Sequence, residues 1–304
     1  MNQPTPLIAS SPAVPSTHDS PEDSSRRGFV AGLTSLLALG ATAAGVVASL
    51  PAAEAGSPAA ALDTSVNGAA HKHNFGMAID LDLCTACGAC VVACRTENNV
   101  ACAGPDEANK GTEIYWMDVL PRKTVDPLEA TLDLIPTPCL QCENAPCVKV
   151  CPVGATYISD EGIVAQIWDR CIGCRYCETA CPYTRRYFNW TEPNFPESYR
   201  NALNPDVATR PRGVIEKCTF CVHRIRKVEE QGVLNDKPPT DADFEYMPAC
   251  AQACPAKAIV FGDLNDPDSH VSRLNRSPRV FRLLEYLGTK PKVFYLGKDR
   301  SSDA

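Results

Sequence analysis

The sequence predicts an α+β protein with few regular elements, in which cysteine-bearing loops organise the chain. Seventeen cysteines lie in 304 residues, and sixteen of them fall into four groups with short, similar spacings. The segments between the groups contain many prolines and only brief strand or helix patterns, so long helices and sheets are not expected. We therefore predict a chain that folds around its cysteine groups and carries loop-rich insertions between them.

The four cysteine groups have similar short spacings. They are, in chain order, Cys84, Cys87, Cys90 and Cys94; Cys139, Cys142, Cys147 and Cys151; Cys171, Cys174, Cys177 and Cys181; and Cys218, Cys221, Cys250 and Cys254. The third group has the C-x2-C-x2-C-x3-C-P spacing of bacterial ferredoxins, in which three thiolates ligate one iron–sulfur cluster and the fourth ligates a second. Pro182 cannot continue the helix that carries Cys181 and ends it. The motif therefore predicts a partner group in the same chain.

The spacing also predicts how the groups share ligands. Groups two and three are joined by residues 154–168, which are predicted to form two strands around an Asp160-Glu161-Gly162 turn, the hairpin of a two-cluster ferredoxin. Groups one and four should form a second such unit, wrapped around the first. Exchange of the fourth cysteine then gives four ligand sets. Set one is Cys84, Cys87, Cys90 and Cys254; set two is Cys94, Cys218, Cys221 and Cys250; set three is Cys139, Cys142, Cys147 and Cys181; set four is Cys151, Cys171, Cys174 and Cys177.

The predicted organisation is two nested bacterial two-cluster ferredoxin-like units. Residues 74–100 together with 213–262 form the outer unit, and residues 137–183 form the inner unit. Residues 101–136 and 184–212 are insertions, and residues 263–304 are a C-terminal extension. Short elements are predicted as strands at 77–83 and 112–120, a helix at 222–232 and a polar loop at 236–244. The tail at 279–296 is predicted to have a helix-like part followed by a strand at 291–296.

Two other uses of cysteine fit the sequence less well. Disulfide frameworks are typical of short secreted chains, and the C-x2-C-x2-C triplets are too close in sequence to pair well. A structural zinc site needs two cysteine pairs per ion rather than a triplet with a displaced fourth ligand. Sixteen cysteines match four [4Fe–4S] clusters with four thiolates each. Cys102 is left over in a loop-like stretch and is predicted to be an incidental free thiol.

Residues 1–55 carry the pattern of an export signal. A Pro- and Ser-rich start, predicted to be disordered, precedes Ser25-Arg26-Arg27-Gly28-Phe29, which matches a twin-arginine signal. A weakly apolar stretch and the small-residue cleavage site Ala53-Glu54-Ala55 follow. Residues 29–50 are long enough to span a membrane, so an uncleaved anchor is the alternative, but their many small residues favour cleavage. No later stretch has transmembrane length, so a periplasmic protein, peripheral to the membrane, is predicted.

Composition excludes some function classes. The formal charge is −7 and no basic patch is found, so nucleic-acid binding is not expected. The sequence contains no recognisable nucleophile–base set and no glycine-rich nucleotide loop, so the chain is not expected to do bond chemistry itself.

Several side chains near the cysteines have two interpretations. Five basic residues near the cysteines either raise the cluster potentials, because they oppose thiolate charge, or are simply solvated. They are Arg175, Arg185, Arg186, Arg212 and Lys217. His223 is predicted to have a surface or packing role rather than a proton- or quinone-linked one. Residues 183–217 are rich in aromatic side chains and are predicted to form a packed layer rather than a docking surface.

The motifs resemble a known family. The four groups in this order, with C-x2-C-x4-C-x3-C-P in second place and Cys171-Ile-Gly-Cys174-Arg-Tyr-Cys177 in third, are similar to the four-cluster ferredoxin-type subunits of the complex iron–sulfur molybdoenzyme family. The resemblance covers about residues 74–298. Stretches such as 213–221 and 261–266 look most like exported members, among them the iron–sulfur subunits of menaquinone reductase, alternative complex III and the sulfite-reductase-associated transmembrane complex. Nitrate reductase relatives replace one group-three cysteine by Trp; the presence of Cys174 implies four four-iron clusters here.

The resemblance implies an electron-transfer subunit of a larger oxidoreductase. Its expected partners are a polytopic quinone-binding membrane subunit and either a molybdenum or tungsten catalytic subunit or a multihaem cytochrome c. Sulfur-compound or other anaerobic respiration is the expected setting. The implied cluster order runs from set one at the catalytic side through sets two and three to set four at the membrane side. The rival interpretation is a freely diffusing, soluble polyferredoxin carrier.

Overall fold

The computed structural model describes residues 71–102, 104–123 and 132–297, all of which belong to one compact unit. The export-signal and cleavage-site predictions for residues 1–55 lie outside the described residues. Parts of the predicted insertion at 101–136 and the last residues of the C-terminal extension, 298–304, also lie outside them. Among the described residues, none of the helices has the length and apolar character needed to cross a bilayer.

The regular elements are short, as expected. The strands are β1 (Phe75–Asp80), β2 (Met117–Lys123), β3 (Leu132–Pro138), β4 (Thr156–Ile158), β5 (Val164–Gln166), β6 (Tyr187–Phe188), β7 (Ile215–Glu216), β8 (Ile259–Asp263), β9 (Val280–Phe281) and β10 (Val293–Leu296). The helices are α1 (Ala89–Glu97), α2 (Pro105–Asn109), α3 (Pro146–Lys149), α4 (Tyr176–Ala180), α5 (Glu197–Arg200), α6 (Val222–Leu234), α7 (Asp241–Phe244), α8 (Ala249–Gln252) and α9 (His270–Asn275). Short 3-10 turns lie at Trp168–Arg170 and Glu285–Leu287.

The largest sheet among the described residues has four strands in the order β8-β1-β10-β9. Strand β1 pairs in parallel with β10, so that Met77 lies opposite Val293, and antiparallel with β8. Both faces of this sheet are buried: Met77 faces the main core that contains the cysteines, and Ala78 faces a second cluster with Val271 of α9. Burial on both faces explains the almost continuous apolar sequences of the central strands.

The described residues also form three two-stranded antiparallel sheets: β2 with β3, β4 with β5, and β6 with β7. The β4–β5 hairpin, with Ile158 opposite Val164, confirms the hairpin predicted between groups two and three. The strand predicted at 77–83 is confirmed as β1 but begins and ends earlier. The strand predicted at 112–120 is wrong for its first half, because β2 begins only at Met117. The indole of Trp116 instead turns inward, and its Nε1 donates to Glu216 at 2.9 Å.

The helix predicted at 222–232 is confirmed as α6. The predicted loop at 236–244 contains one extra helical turn, α7, at whose start the Asp243 carboxylate accepts hydrogen bonds from the backbone N–H and hydroxyl of Thr240.

The helix-like part predicted for the tail is wrong. Leu284 and Gly288 adopt left-handed backbone angles, with φ of 49° and 66°, which interrupts a helix. The tail forms β9, a 3-10 turn and the predicted final strand, β10.

Two pairs of helices connect the cysteine groups. Helix α1, which follows the loop of group one, packs against α8, which carries Cys250. Helix α3, which carries Cys147, packs against α4, which carries Cys177. Group one is thus next to group four, and group two is next to group three. The nesting of two ferredoxin-like units stays a prediction, and these two helix pairs support it.

Candidate cluster-binding site

The cysteine loops contain residues with left-handed backbone angles. Each group has at least one of them: Ala86 and Gly88 in the first, Gln141 in the second, Gly173 and Arg175 in the third, and Phe220 and Cys221 in the fourth. Five of these seven are not glycine, so their conformation is strained and must be held by the surrounding structure. Left-handed residues in tight loops turn successive backbone N–H groups toward one side, which creates a concave site for negative charge.

Gln141 shows how one such loop is held. It is fully buried, its Nε2 donates to the carbonyl oxygen of Cys218 at 2.9 Å, and its Oε1 accepts from the backbone N–H of Val164 at 2.9 Å. One side chain therefore connects the loop of group two to the loop of group four and to strand β5. Sequence analysis missed this role; the only signal was a Gln between two cysteines.

Thiols from different cysteine groups are electrostatic neighbours of one another. Burial, followed by the nearby thiolates of Cys84 and Cys254, raises the pKa of Cys90 to about 11. Burial, followed by Cys218, Cys221 and Cys250, raises the pKa of Cys94 well above its usual value. Burial also raises the pKa of Cys142, to about 12, with contributions from Cys139, Cys147 and Cys181. These three neighbourhoods coincide with predicted sets one, two and three.

Set four is brought together less completely. Burial raises the pKa of Cys177, with smaller contributions in the same direction from Cys147 and Cys171. Burial also raises the pKa of Cys151, but hydrogen bonds from the backbone N–H groups of Thr156, Val153 and Ala155 outweigh it and lower the pKa overall. Cys174 is exposed.

The donor set fits iron–sulfur clusters. Thiols buried this deeply are unfavourable as bare thiolates, because like charges gather where water cannot screen them; positively charged iron removes this cost. In the described parts of the chain, no three His, Cys, Asp or Glu side chains converge as a single metal ion would require. A four-iron cluster takes four cysteine thiolates, which matches the size of each predicted set.

Hydrogen bonds to sulfur add to this fit. Backbone N–H groups donate to the thiols of three cysteines: Phe220 N to Cys218 Sγ at 3.4 Å, Ala258 N to Cys254 Sγ at 3.3 Å and Thr156 N to Cys151 Sγ at 3.5 Å. Asn98 supplies a side-chain donor, with Nδ2 3.5 Å from Cys221 Sγ. Such bonds stabilise ligand sulfurs and help to set cluster potentials. The sequence signal for Asn98 was its position one helical turn after Cys94.

Exposure of the cysteines differs strongly between the sets. All four cysteines of set two are buried, and set three has three buried cysteines and a half-buried Cys181. Set one includes the exposed Cys87, and set four includes the exposed Cys174. Two sets therefore reach the surface, and two are enclosed by protein.

The electrostatic neighbours of single cysteines also connect one set to the next. Cys90 of set one raises the pKa of Cys250 of set two, after burial and the other cysteines of that set. Cys139 of set three raises the pKa of Cys218 of set two, second only to burial. Cys147 of set three contributes to the raised pKa of Cys177 of set four, after burial. Single cysteines of sets one and two, of sets two and three, and of sets three and four are therefore electrostatic neighbours.

Two exposed apolar side chains lie two residues before and after the exposed Cys174 of set four. Ile172 is 64% exposed and Tyr176 is 58% exposed, and both lie in the loop and helix that carry Cys171, Cys174 and Cys177. The guanidinium of Arg175 lies over the ring of Trp190, 4.7 Å from its centroid. At the other end, Leu83 and Val92 are exposed beside group one. Exposed apolar side chains therefore lie close in sequence to the exposed cysteine of set four and to group one.

The basic residues singled out in the sequence divide into two classes. Arg185, Arg186 and Lys217 are buried, so the interpretation that they are simply solvated is wrong for them. Arg175 and Arg212 are exposed. The Arg185 guanidinium lies 3.5 Å from the carboxylate of Asp118, whereas no carboxylate among the described residues pairs with Arg186 or Lys217.

The remaining predicted residues have ordinary environments. The ring nitrogen Nε2 of His223 lies 2.7 Å from the carboxylate of Glu97, which also binds Arg224, so His223 takes part in a packed ion-pair cluster. The aromatic segment is largely a packed layer, with Tyr183 and Phe195 buried, but Trp190 is 46% exposed. Cys102 is exposed and belongs to none of the sets.

Comparison with known proteins identifies the class. A family described as "4Fe-4S dicluster domain" matches residues 130–197, and one described as "4Fe-4S binding domain" matches residues 77–97. The protein is 48% identical over 230 residues to the iron–sulfur cluster-binding subunit of menaquinone reductase from Nitratidesulfovibrio vulgaris, an alignment that covers 75% of this sequence and 90% of that protein. Identity to a polypeptide of the polysulfide reductase of Wolinella succinogenes is 35% over 230 residues, covering 74% and 95%. Identity to a polypeptide of the tetrathionate reductase of Salmonella typhimurium is 35% over 230 residues, covering 75% and 74%.

The fold and the cysteine site therefore define a [4Fe–4S] electron-transfer protein that works as a subunit of an oxidoreductase complex. The protein belongs to the ferredoxin-type iron–sulfur subunits of the complex iron–sulfur molybdoenzyme family. The resemblance drawn from the sequence is confirmed.

Proposed function

We propose that the protein holds four [4Fe–4S] clusters, one on each of sets one to four. The two matched families cover residues 77–97 and 130–197, which leaves group four outside both. Its part in the site is supported by the environment of Cys94, whose pKa is raised by burial and then by Cys218, Cys221 and Cys250. Cys254 is likewise a neighbour of Cys90. Crosswise ligand sharing uses all sixteen cysteines and agrees with these neighbours of Cys90 and Cys94.

We infer that this subunit conducts electrons from one of its ends to the other. Bound clusters would supply reversible one-electron transfer. The protein itself buries the two inner sets, donates hydrogen bonds to sulfurs of set two and leaves one cysteine of each outer set at the surface. This pattern of exposed ends and enclosed middle is the observation that carries the function, because a conductor must reach partners at both ends and be insulated between them.

The two ends are proposed to serve different partners. We assign the set-four end, with its exposed Ile172 and Tyr176, to a polytopic quinone-binding membrane subunit. The set-one end is assigned to a molybdenum or tungsten catalytic subunit or a multihaem cytochrome c. Relatives named for menaquinone, polysulfide and tetrathionate support a quinone partner and a role in sulfur-compound or other anaerobic respiration.

We further propose that the protein is exported by the twin-arginine pathway, works in the periplasm and is held at the membrane through its partner subunits. This proposal rests on Ser25-Arg26-Arg27-Gly28-Phe29 and the apolar stretch that follows. Export in the folded state protects cluster-bearing thiols from oxidation on the way. On its own, the protein is proposed to have no enzymatic activity.

The rival function is a freely diffusing soluble polyferredoxin. Membrane fractions separate the two: the proposed subunit should be recovered with a membrane complex and be released by detergent together with its partners. Complete recovery in the soluble fraction, with no co-purifying subunit, would support the rival.

Metal and sulfide analysis of the purified complex tests the cluster content. We expect about sixteen irons and about sixteen acid-labile sulfides per copy of this protein, as four cubanes require. Iron near half that amount would reject the four-cluster proposal but leave electron transfer by two clusters standing. Zinc in place of iron would reject both.

A further inference from the structure

Three cations are buried without a carboxylate partner in the described parts of the chain. Arg186 is 2% exposed, Lys217 is fully buried and Lys292 is 6% exposed. None of them forms an ion pair there, whereas the equally buried Arg210 lies 2.8 Å from the carboxylate of Glu216. A buried charge without a partner is costly, so these three positions require negative charge from another source.

Arg186 is held between sets three and four. Its Nη1 donates to Thr156 Oγ1 and to Gln166 Oε1, both at 3.1 Å, which ties it to the β4–β5 hairpin. Its other terminal nitrogen, Nη2, is buried and has no hydrogen-bond partner among the described residues. Burial opposes the charge of Arg186, but Cys147, Cys177 and Cys139 outweigh it and raise its pKa. Two of these three cysteines belong to set three.

Lys292 lies beside set three, and Lys217 lies beside a cysteine of set two. The ammonium of Lys292 donates to the carbonyl oxygen of Gly162 and interacts with the thiol of Cys142. The ammonium of Lys217 donates to the carbonyl oxygen of Cys218 at 2.6 Å. The thiol of Cys218 is in turn influenced by Cys139 of set three. Arg186 and Lys292 therefore lie beside cysteines of set three, whereas Lys217 lies beside Cys218 of set two.

This arrangement has a direct consequence for reduction. Adding an electron makes a cluster more negative, and a nearby cation in a poorly screened interior favours that change. We propose that the charges of Arg186 and Lys292 make the set-three cluster the most easily reduced of the four, so that electrons in transit rest there. The proposal depends on the four-cluster assignment above.

The redox step is a simple exchange. A neighbouring cluster, on set two or set four, loses one electron and the set-three cluster gains it; no bond within either cluster forms or breaks, and no proton binds to the clusters themselves. The cations remain in place and offset part of the added charge.

Redox titration of the purified complex, followed by low-temperature EPR, tests the proposal. Loss of a signal in Cys142→Ser identifies the set-three cluster. In the unchanged protein, that signal should appear first as the potential is lowered. Lys292→Gln should lower its midpoint alone, whereas Arg186→Gln should lower the midpoints of sets three and four. In each of these two variants, we expect at least a tenfold fall in the ratio of reduced to oxidised set-three cluster at a fixed potential. This corresponds to a midpoint lowered by about 59 mV for a one-electron couple.

Arg186→Lys and Arg226→Gln are the matched variants. Arg186→Lys keeps the positive charge, so its set-three midpoint should stay close to that of the unchanged protein. Arg226 is half-exposed and paired with Glu161, so its replacement should change neither midpoint. If Arg186→Gln loses iron, Lys292→Gln and Arg186→Lys still decide the question, because they change less of the packing.

A set-three cluster that is not the first to be reduced, or midpoints that are equal in all variants with full iron content, would overturn the proposal. Failure of the four-cluster assignment would appear differently, as iron far below about sixteen per copy of the protein before any potential is measured.

Discussion

The side-chain nitrogen Nδ2 of Asn98 lies 3.5 Å from the sulfur of Cys221 and connects helix α1 to the loop of the fourth cysteine group. The same nitrogen lies 3.8 Å from the sulfur of Cys94 and donates to the carbonyl oxygen of Cys94 at 3.0 Å. Arg210 holds the backbone of this residue through its carbonyl oxygen at 2.7 Å. One fixed amide therefore serves two cysteines of set two that are distant in sequence.

Asn98→Ala should lower the midpoint potential of the set-two cluster, because hydrogen bonds to ligand sulfur favour the more negative, reduced state. The loss of a buried hydrogen bond should also destabilise the protein by about 1 to 3 kcal/mol. EPR redox titration and thermal unfolding of the purified complex measure the two effects. Asn201→Ala, at an exposed position, is the control and should change neither. An unaltered set-two midpoint in Asn98→Ala would contradict the assignment.

Gly173→Ala should disrupt the loop of the third group. Gly173 has φ of 66°, and a Cβ built there would lie 2.2 Å from the carbonyl oxygen of Gly213. Gly154 has a similar φ of 60°, but no atom lies within 4 Å of its added Cβ, so Gly154→Ala isolates the backbone strain, about 1 to 2 kcal/mol. Thermal unfolding and iron content of both variants should show the larger loss for Gly173→Ala. Equal losses would mean that the close approach to Gly213 is unimportant.

The parts of the site that sequence analysis predicted are those set by local spacing. The C-x2-C-x2-C run and Pro182 follow from short-range geometry, and the β4–β5 hairpin follows from two apolar stretches around one turn. The cysteines near Cys94 and Cys142 are those that the exchange of the fourth cysteine predicts. This exchange has a local cause, because a short helix after a tight loop turns the fourth cysteine away from the first three.

The parts that sequence analysis missed depend on distant residues. The parallel pair of β1 and β10 joins segments that lie near opposite ends of the described sequence, and nothing in Pro291-Lys-Val-Phe-Tyr-Leu296 indicates its partner. The role of Gln141 depends on Cys218 and Val164. The apolar residues of the tail have helical spacing and predict a helix there, but pairing of β9 with β10 determines its shape.

Cys177→Ser should remove or alter only the set-four cluster and stop quinone-linked turnover. Cys177 is buried next to Cys171, and a serine oxygen is a poorer ligand for iron than a thiolate. EPR spectra and quinol-dependent activity of the complex measure the change. Cys102→Ser replaces a thiol that belongs to none of the sets and should retain all iron and full activity. Full activity with unchanged spectra in Cys177→Ser would rule out its assignment to set four.

Glu216→Gln should destabilise the protein by about 3 to 5 kcal/mol, because it leaves the buried charge of Arg210 uncompensated. The Glu216 carboxylate lies 2.8 Å from Arg210 and accepts from the indole of Trp116 at 2.9 Å. Thermal unfolding of the complex measures the loss. Glu197→Gln, where the carboxylate is 95% exposed and 4.0 Å from Arg200, should have almost no effect. A similar unfolding temperature for the two variants would refute a structural role for the buried pair.

The midpoint potential of the set-three cluster should depend on pH through Lys292. Burial lowers the pKa of Lys292 to about 8, while Glu143, Asp263 and Cys142 act in the opposite direction and Lys217 adds to the lowering. Below that pH the side chain carries its positive charge and favours the reduced cluster; above it the charge is lost, so the midpoint should fall as pH rises. The negative charge of a bound cluster favours protonated Lys292 and moves this fall to about pH 8 or higher.

Lys292→Met removes the titrating group and should give a set-three midpoint that stays low across the same pH range. Redox titrations of the complex from about pH 6 to about pH 10, on either side of the lowered pKa of Lys292, would separate the two curves. They should meet at the alkaline end, where neither side chain is charged. The sets remote from Lys292 provide an internal control, since the set-one midpoint should respond equally in both proteins. A wild-type set-three midpoint that is flat over this range, or parallel to that of Lys292→Met, would show that the ammonium of Lys292 does not act on this cluster.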